Sequence, residues 1–355
     1  MPQKQVVFYF YTRNATFIQK DISILKSEFE VLECSFPAEE KWKTLFLFLD
    51  QLVFLLRHIS KWNRSVAIAQ FAGYHTFLPS IWAKLFGQKM IIVAGGTDCV
   101  AFPSLKYGHF QNKLLAWFTR QSYRWVSTVS AVHKSLFYRE DHYYLPEESK
   151  QGILQFVPGA QFQKSEIPNG FDTQIFRIQK PFSDRKPLSF ITISASLNDP
   201  IRMKLKGIDL ILDLAIRMPE ATFTLIGATD PGNIPVPANV NLVSYIPNQE
   251  LPDWYNQHQF YIQLSISEGF PNALCEAMAS GCVPIVSAVA SMPEIVATNG
   301  LVIEKRDSDL FFEAVRGFVT RSDLNKFSTD GLKSITERFG LERRRKALLD
   351  LVSNK

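Results

Sequence analysis

The sequence has few of the residues that build disulfide frameworks or zinc sites. Its 355 residues include only four cysteines, at positions 34, 99, 275 and 282, and no CxxC spacing. The six histidines form neither an HExxH motif nor any other paired metal-ligand spacing. Isolated cysteines in a chain of this length predict buried free thiols. We therefore expect neither a disulfide nor a structural metal.

The sequence also lacks a hydrophobic run long enough to span a membrane. The longest run, residues 44–56, is interrupted by Asp50 and Gln51, whereas a spanning helix needs about 20 apolar residues. Residues 1–10 do not have the basic segment, apolar run and small-residue cleavage site of a secretory signal peptide. These absences predict a cytoplasmic protein.

Positive charge is in only slight excess. The formal net charge is +5, which is too small to indicate a nucleic-acid partner. A modest positive excess is compatible with anionic ligands such as phosphates or with a membrane surface. We therefore expect no nucleic acid among the partners.

Apolar and aromatic residues are abundant. The sequence is 46% hydrophobic and contains 29 phenylalanines, which supports folded cores, and its length predicts two domains at about 150 residues each. Short β-branched and aromatic runs alternate with amphipathic stretches, the pattern of βα units around a parallel sheet. Strands are predicted at residues 5–10, 66–70, 89–94, 124–130, 188–194, 222–226, 259–265 and 283–287. Helices are predicted near residues 207–217, 249–257, 272–280 and 308–320.

Local signals mark the first helix and the boundary between the domains. Thr16 and Gln19 fit a capping box, in which the two side chains bond amides of the opening helical turn. Residues 156–170 are rich in turn-forming residues and have neither helical nor strand periodicity, so the boundary is predicted there.

Residues 265–281 are the most informative segment. They follow a predicted strand, turn at Gly269, enter a helix near Pro271 or Asn272 and stop at Gly281. The opening turn of a helix leaves about four amides without intrahelical partners, and the helix dipole adds positive charge there. This arrangement favours an anion at the carboxyl end of the strand.

Two glutamates flank that turn. Glu268 lies in the loop and Glu276 about one turn into the helix. A carboxylate repels phosphate but accepts hydrogen bonds from sugar hydroxyls. The alternative is an ordinary helix, with one acidic residue at its first turn and the other solvated.

The segment resembles a known family. Residues 268–276 read Glu-Gly-Phe-Pro-Asn-Ala-Leu-Cys-Glu, with seven residues between the glutamates, and they resemble the E-x7-E signature of family 4 retaining glycosyltransferases of the GT-B fold. Further segments resemble that family in its order: Ile-Pro-Asn-Gly-Phe-Asp at 167–172, Lys-Gly at 206–207 and Pro-Glu-Ile-Val at 293–296.

The resemblance implies an α/β protein of GT-B fold, in which two Rossmann-like parallel-sheet domains face a cleft and the C-terminal helix crosses back to the first domain. The acceptor-binding domain would be residues 1–165 with the returning helix at 335–355, and the donor-binding domain residues 166–334. The implied reaction moves a sugar from a nucleotide-diphosphate sugar, with UDP or GDP, to an acceptor hydroxyl. It retains the anomeric configuration and needs neither metal nor cofactor.

The resemblance also implies residue roles. Glu268 would be catalytic and lie against the donor sugar, Glu276 would hold the ribose hydroxyls, and Lys206 would neutralise the leaving diphosphate. Tyr245 and Ile246 would bracket the base. One loop would line the diphosphate with its backbone amides, and its residues are Gly269, Phe270, Pro271, Asn272, Ala273 and Leu274.

Two departures from the family pattern leave roles open. Residues 194–197 read Ser-Ala-Ser-Leu where the family has Gly-Arg-Leu, so the second basic group would be Arg202, from the intervening loop, or the weaker candidate Lys204, unless Arg202 is merely solvated. Gly95 stands where the family has a histidine, which leaves Asp98 either as a catalytic group or as the cap of the segment that follows a tight turn at Gly95 and Gly96.

Mixed apolar, aromatic and basic stretches bear on the acceptor. Residues 41–49 and 107–120, with Arg124 and Trp125, carry such side chains at helical spacing. This pattern is compatible with helices at a membrane interface or with packing on the first sheet. We therefore expect a glycan or lipid-linked acceptor and peripheral membrane contact through the first domain. We also expect a role in surface-polysaccharide assembly. The basic residues at 343–346 are expected to be solvated. Two alternatives to sugar transfer stay open, an inactive nucleotide-sugar-binding partner and a sugar-nucleotide epimerase.

Overall fold

The structure is a computed structural model that describes residues 4–37, 44–62, 65–193, 199–227, 232 and 234–353. The chain divides into two compact units. Unit 1 comprises residues 1–139, 150–169 and 342–355, and unit 2 comprises residues 140–149 and 170–341. Residues 140–149 thus belong to unit 2, although they lie well before the boundary near residue 165 that the sequence suggested.

The described residues alternate between strands and helices. In chain order the strands are β1 Val6–Tyr11, β2 Glu30–Ser35, β3 Ser65–Gln70, β4 Met90–Ala94, β5 Thr128–Ala131, β6 Arg139–Glu140, β7 Lys150–Gln151, β8 Gln163–Glu166, β9 Lys186–Ile193, β10 Thr222–Ile226, β11 Val240–Val243, β12 His258–Gln263, β13 Val283–Ser287 and β14 Leu301–Ile303. The helices are α1 Thr16–Glu28, α2 Thr44–Arg57, α3 Ile59–Trp62, α4 Tyr74–Leu85, α5 Lys113–Trp125, α6 Ile153–Phe156, α7 Pro200–Lys206, α8 Ile208–Arg217, α9 Leu251–Tyr255, α10 Asn272–Ala279, α11 Met292–Val296, α12 Ser308–Phe318, α13 Leu324–Phe339 and α14 Leu341–Ser353.

Each unit is built on a six-stranded sheet whose strands are all parallel. The order in unit 1 is β2-β1-β3-β4-β5-β8, and the order in unit 2 is β11-β10-β9-β12-β13-β14. The central strands of unit 1 are buried along nearly their whole length, as in Val7–Phe10 and Met90–Val93. Burial on both faces of a parallel sheet requires continuous apolar runs rather than alternation, and this is the pattern in the sequence.

A stack of three phenylalanine rings ties the centre of the unit 2 sheet together. Phe190 on β9 pairs in register with Phe223 on β10 and with Phe260 on β12. The ring centroids lie 4.8 Å and 5.1 Å apart, with nearly parallel planes. Cross-strand aromatic pairs of this kind stabilise a sheet, and here they fix the relative positions of β9 and β12, whose carboxyl ends lead into the candidate site.

The predicted α/β class is confirmed, and the differences lie at element ends and sheet edges. The strand predicted at 124–130 begins at Thr128, because residues 124 and 125 complete α5. The edge strands β2, β8 and β11, and β14 at the far edge of unit 2, were not predicted as strands. Strand β8 lies inside the turn-rich segment 156–170 and pairs with β5. Its residues are all polar, so the sequence shows no strand pattern there.

Two local expectations are corrected by the structure. The capping box at Thr16 is wrong, because Thr16 is already the first residue of α1 and Ala15 precedes it without a side-chain cap. All four cysteines are free thiols, but Cys34 is only half-buried. Across the part of the chain that the structure describes, no helix is both long and apolar enough to cross a membrane.

The end of the chain belongs to unit 1 and is anchored there by a buried ion pair. Arg344 on α14 donates to both carboxylate oxygens of Asp21 on α1, at 2.7 Å and 2.6 Å. The same guanidinium donates to the carbonyls of Ile167 and Pro168. The expectation that all basic residues at 343–346 are solvated is therefore wrong for Arg344, which is 5% exposed.

We expect Arg344→Ala to destabilise the protein strongly. Removing one partner of a buried ion pair leaves the other charge buried without compensation, which costs about 3–5 kcal/mol. The measurement is the midpoint of urea unfolding. Lys346→Ala, an exposed position on the same helix, is the control and should change the free energy of unfolding by less than about 0.5 kcal/mol. Equal effects of the two substitutions would contradict an anchoring role for Arg344.

Candidate functional site

The carboxyl ends of two neighbouring strands define the candidate site in unit 2. Strands β9 and β12 pair in parallel, so their carboxyl ends lie side by side at one edge of the sheet. After β9 the chain leads towards α7, and after β12 it leads through residues 264–271 into α10. Ligands of doubly wound sheets bind beyond the carboxyl ends of such strands.

Gly207 lets the end of α7 lie directly against the loop after β12. Its φ is +70°, and a Cβ there would lie 2.3 Å from the carbonyl oxygen of Leu264. The amide of Ile266 donates to the carbonyl of Leu205 at 2.8 Å. Only glycine combines this left-handed conformation with so close an approach. The Lys-Gly pair singled out in the sequence therefore places its lysine at the loop that carries Glu268.

Lys206 and Glu268 form an ion pair at this junction. The Lys206 Nζ lies 2.6 Å from Glu268 Oε1, and the Glu268 side chain is mostly buried, with 13% of its surface exposed. The structure thus brings together Glu268, which was predicted to lie against the donor sugar, and Lys206, which was predicted to neutralise the leaving diphosphate. A partly desolvated cation–carboxylate pair holds each side chain in a defined position.

Gln263 also binds Glu268, and the sequence analysis did not identify it. Its amide Nε2 donates to Glu268 Oε1 at 2.9 Å, and its Oε1 accepts from the hydroxyl of Tyr261 at 2.9 Å. Burial, followed by the nearby Glu268 and Glu276 carboxylates, raises the pKa of Tyr261 well above its ordinary value. Tyr261 therefore stays protonated and donates. A polar residue at the end of a buried apolar strand is the sequence signal that could have identified Gln263.

Glu276 lies on α10 and is almost fully buried. Its Oε1 accepts a hydrogen bond of 3.1 Å from the side-chain amide of Asn248, a second residue that the sequence analysis missed. Asn248 follows Tyr245 and Ile246 in the segment between β11 and α9. Tyr245 is exposed and Ile246 half-buried, so the segment assigned to the base adjoins the residue that bonds Glu276.

The loop before α10 is held by contacts with other residues of unit 2. Phe270 is buried between the rings of Phe171 and Phe339, with centroids 6.1 Å and 5.2 Å away, and Ser291 Oγ donates to the carbonyl of Gly269. Helix α10 begins after Pro271 without a side-chain cap. Pro271 itself has no amide hydrogen, so any anion contact of this turn comes from its neighbours, in particular Asn272, Ala273 and Leu274.

A buried arginine holds the opposite end of α10. Arg185 donates to the carbonyl of Ser280 at 2.7 Å and to that of His258 at 3.0 Å. Burial lowers the pKa of this guanidinium, and the carbonyl of Ser280 lies at the negative end of the α10 dipole. A Cβ on Gly281, whose φ is +84°, would lie 2.7 Å from Arg185 Nη2. Gly281, which follows the end of this helix, thus also leaves space for the Arg185 guanidinium.

The candidate second cation lies on a helix, and not on a loop as expected. Arg202 belongs to α7, one turn before Lys206, and its Nε lies 3.5 Å from the carboxylate of Asp199. Residues four apart share one helix face, so Arg202 and Lys206 lie on the same side of α7. Lys204 lies instead over the ring of Tyr144. Residues 194–197, where the sequence departs from Gly-Arg-Leu, lie outside the described residues.

Asp98 is in unit 1, where it is fully buried. Its Oδ2 accepts from the amide of Ala72 at 2.9 Å and from the hydroxyl of Tyr123 at 2.6 Å. Its Oδ1 accepts from the amides of Gly95 and Gly96. This geometry favours a structural role, in which the carboxylate organises the preceding turn at Gly95 and Gly96 rather than capping the segment that follows. The catalytic role stays a prediction.

The structure also gives a reason for the glycine at position 95. A Cβ on Gly95 would lie 1.7 Å from the ring of Phe71, so no larger residue fits there while Phe71 keeps its place. Phe71 itself has φ +62°, an uncommon conformation for an aromatic residue. The glycine at position 95 is therefore coupled to the position of Phe71.

Comparison with protein families identifies the region that contains this site. Residues 193–321 match the family described as Glycosyl transferases group 1, which covers just over a third of the chain. The O-antigen chain mannosyltransferase B of Escherichia coli is 34% identical over 70 residues, a stretch that makes up 20% of this chain and 18% of that protein. The family match and the sequence similarity each cover only part of this chain, and the similarity covers less than a fifth of the mannosyltransferase.

Comparison with solved structures covers nearly the whole chain. The sucrose-phosphate synthase of Thermosynechococcus elongatus has a TM-score of 0.73 at 14% identity, over 98% of both chains. HepE of Anabaena, solved with UDP-glucose, has a TM-score of 0.67 at 14% identity, over 97% of this chain and 98% of HepE. The fold is GT-B. TarM of S. aureus, solved with UDP, matches 86% of this chain and 58% of its own at a TM-score of 0.61.

Within the GT-B fold the candidate donor residues all belong to unit 2, and Asp98 belongs to unit 1. In the part of the chain that the structure describes, no three His, Cys, Asp or Glu side chains form a cluster suited to a metal ion. The arrangement in unit 2 offers one paired cation, two ordered carboxylates and the positive end of a helix. Such a set can bind an anion and hydroxyl groups together.

We expect Gly207→Ala to lower the free energy of unfolding by more than the strain of a positive φ alone would. A non-glycine residue at positive φ costs about 1–3 kcal/mol, and the Cβ would also collide with Leu264. Gly159→Ala is the control, because Gly159 has φ +74° but nothing within 4 Å of its Cβ position. Urea unfolding should show the larger loss at Gly207. A smaller loss at Gly207 than at Gly159 would show that the close approach is not a constraint.

For Asp98→Asn we expect a lower thermal unfolding midpoint, corresponding to about 1–3 kcal/mol, because buried donors would lose their acceptor. The control is Asp50→Asn, at an exposed position of α2, which should leave the midpoint unchanged. A variant at Asp98 that unfolds like the wild type but has lost turnover would instead establish the catalytic role.

Proposed function

We propose that this protein is a retaining, metal-independent glycosyltransferase of the family 4, E-x7-E type. The observation that carries the proposal is the contact between Lys206 and Glu268 at 2.6 Å, beside a helix that begins at Asn272 and presents the buried Glu276. The family match over residues 193–321 supports the assignment.

The donor in this proposal is a nucleotide-diphosphate sugar, with UDP or GDP as its nucleotide. Glu276 accepts hydrogen bonds from the ribose hydroxyls. The hydrogen bond from Asn248 already orients its carboxylate. The opening amides of α10 bind the diphosphate, and Tyr245 and Ile246 contact the base. That HepE was solved with UDP-glucose and TarM with UDP supports this class of donor.

The bond-breaking step places negative charge on the leaving diphosphate. Lys206 and the positive end of α10 stabilise that charge more than they stabilise the bound donor, which is how electrostatic catalysis lowers a barrier. Arg202, on the same face of α7, supplies the second cation. Glu268 lies against the donor sugar, where Gln263 keeps its carboxylate in place from the strand side.

The acceptor is a glycan or lipid-linked hydroxyl in the assembly of a bacterial polysaccharide. The similarity of a 70-residue stretch to an O-antigen mannosyltransferase supports this class of pathway. A lipid-linked acceptor would be reached at a membrane surface, so we infer a cytoplasmic protein that acts at the inner face of the membrane.

The donor site is tested by thermal unfolding and turnover with UDP-, GDP-, ADP- and dTDP-sugars. One nucleotide class should stabilise the wild type, by about 2.7 kcal/mol at a hundredfold excess over Kd, and Glu276→Gln should remove the shift. Lys206→Ala should lower kcat by about 10²–10³-fold, and the product analysed by NMR should keep the donor's anomeric configuration with or without EDTA.

Two matched variants serve as controls in this experiment. Glu313→Gln, on the exposed face of α12, should keep the full nucleotide shift, and Lys204→Ala should keep most of the turnover. A shift without turnover for any acceptor would favour the inactive binding partner. Conversion of the donor sugar without an acceptor would favour the epimerase. No shift with any nucleotide would overturn the proposed donor site.

A further inference from the structure

One face of α2 exposes an apolar surface. The large hydrophobic residues on it are exposed by 43–67%, and they are Leu45, Phe46, Leu49, Val53 and Leu56. With 3.6 residues per turn, these five positions fall within about a third of the helix circumference. The opposite side of α2 carries Gln51 and Leu55, which are buried in unit 1. The exposed face is therefore one continuous stripe.

Helix α5 contacts α2 and exposes further apolar side chains. Beneath the surface, Phe48 of α2 stacks on Phe118 of α5 with centroids 5.7 Å apart, and Phe77 of α4 contacts both rings. Beside Phe118, the side chains of Leu114 and Trp117 are 62% and 47% exposed. We call the exposed apolar residues of α2 with Leu114 and Trp117 the helical apolar surface.

The part of the chain around this surface is almost free of acidic residues. From Gln51 to Arg139 the sequence has eleven lysines and arginines but a single acidic residue, Asp98. Asp98 is buried with its carboxylate fully engaged, so it adds no negative charge to the exterior. Arg57 on α2 and Lys113 and Arg124 on α5 are exposed, as is Lys84 on α4. Asp50 is the exposed carboxylate of α2.

The apolar and positive character of this surface together indicate the kind of partner that it binds. An apolar helix face flanked by lysine and arginine is suited to the boundary between headgroups and acyl chains, and anionic lipids attract basic segments. A second copy of the chain would bring the same positive charges against one another, since a two-fold interface is formed by identical patches. The charge therefore disfavours a homodimer through this face.

We propose that the helical apolar surface docks on an anionic phospholipid bilayer. Leu45, Phe46 and Leu49 enter the headgroup region, Trp117 lies at its polar boundary, and the exposed basic residues contact lipid phosphates. The biological purpose, access to a lipid-linked acceptor, rests on the proposed sugar transfer. The lipid contact itself does not need a donor and is measured separately.

The experiment is co-sedimentation of the full chain with vesicles. Vesicles of equal parts phosphatidylglycerol and phosphatidylcholine should bind the protein at least about tenfold more strongly than pure phosphatidylcholine. The double variant Phe46→Ser/Leu49→Ser should lose at least about tenfold of this binding. The matched control is Ile216→Ser/Leu310→Ser, two residues of unit 2 that are 66% and 59% exposed, and it should bind like the wild type.

Other outcomes would overturn the docking surface. They are equal loss of binding in the two double variants, no preference for anionic vesicles, and a wild-type dimer in gel filtration that Phe46→Ser/Leu49→Ser converts to monomer. Thermal unfolding of the same samples without nucleotide verifies that the variants are folded. If vesicle binding holds while no nucleotide shifts the wild type, the proposed function fails and the docking surface stands.

Discussion

The close approach between Gly207 and Leu264 is the constraint on which the candidate site depends. Strands β9 and β12 end side by side at one edge of the sheet, but helix α7 and the loop after β12 would normally be separated there by side chains. Because Gly207 has no Cβ and adopts a left-handed conformation, the end of α7 touches the loop after β12 directly. The ion pair between Lys206 and Glu268 is a consequence of this backbone contact.

The rest of unit 2 keeps that contact in place. The stacked rings of Phe190, Phe223 and Phe260 fix the strands beneath it. Helix α10 is held at its start by the burial of Phe270 and at its end by Arg185. Such preorganisation means that the charged groups do not have to be rearranged when an anion binds, which is the condition under which electrostatic stabilisation is largest.

Sequence reasoning identified the parts of the site whose signals are local. The turn at Gly269, the helix near Asn272 and the Lys-Gly pair are encoded within a few residues each, and the structure places them as one site in unit 2. Gln263 and Asn248 were missed because their role depends on partners that only the folded sheet brings near. The same reason applies to Arg344, whose partner Asp21 lies 323 positions earlier. Edge strands such as β8 were missed because short polar strands have no periodic pattern.

The position of Arg344 also has a consequence for the order in which the protein is made. Domains generally fold as they leave the ribosome, starting from the N-terminus. Unit 1 includes both Asp21 on α1 and Arg344 on α14, so its β-sheet emerges early while the arginine that pairs with Asp21 is translated 323 residues later. The nascent first unit therefore carries the Asp21 carboxylate without its partner throughout the synthesis of unit 2. Unit 1 is completed only after unit 2 has been made.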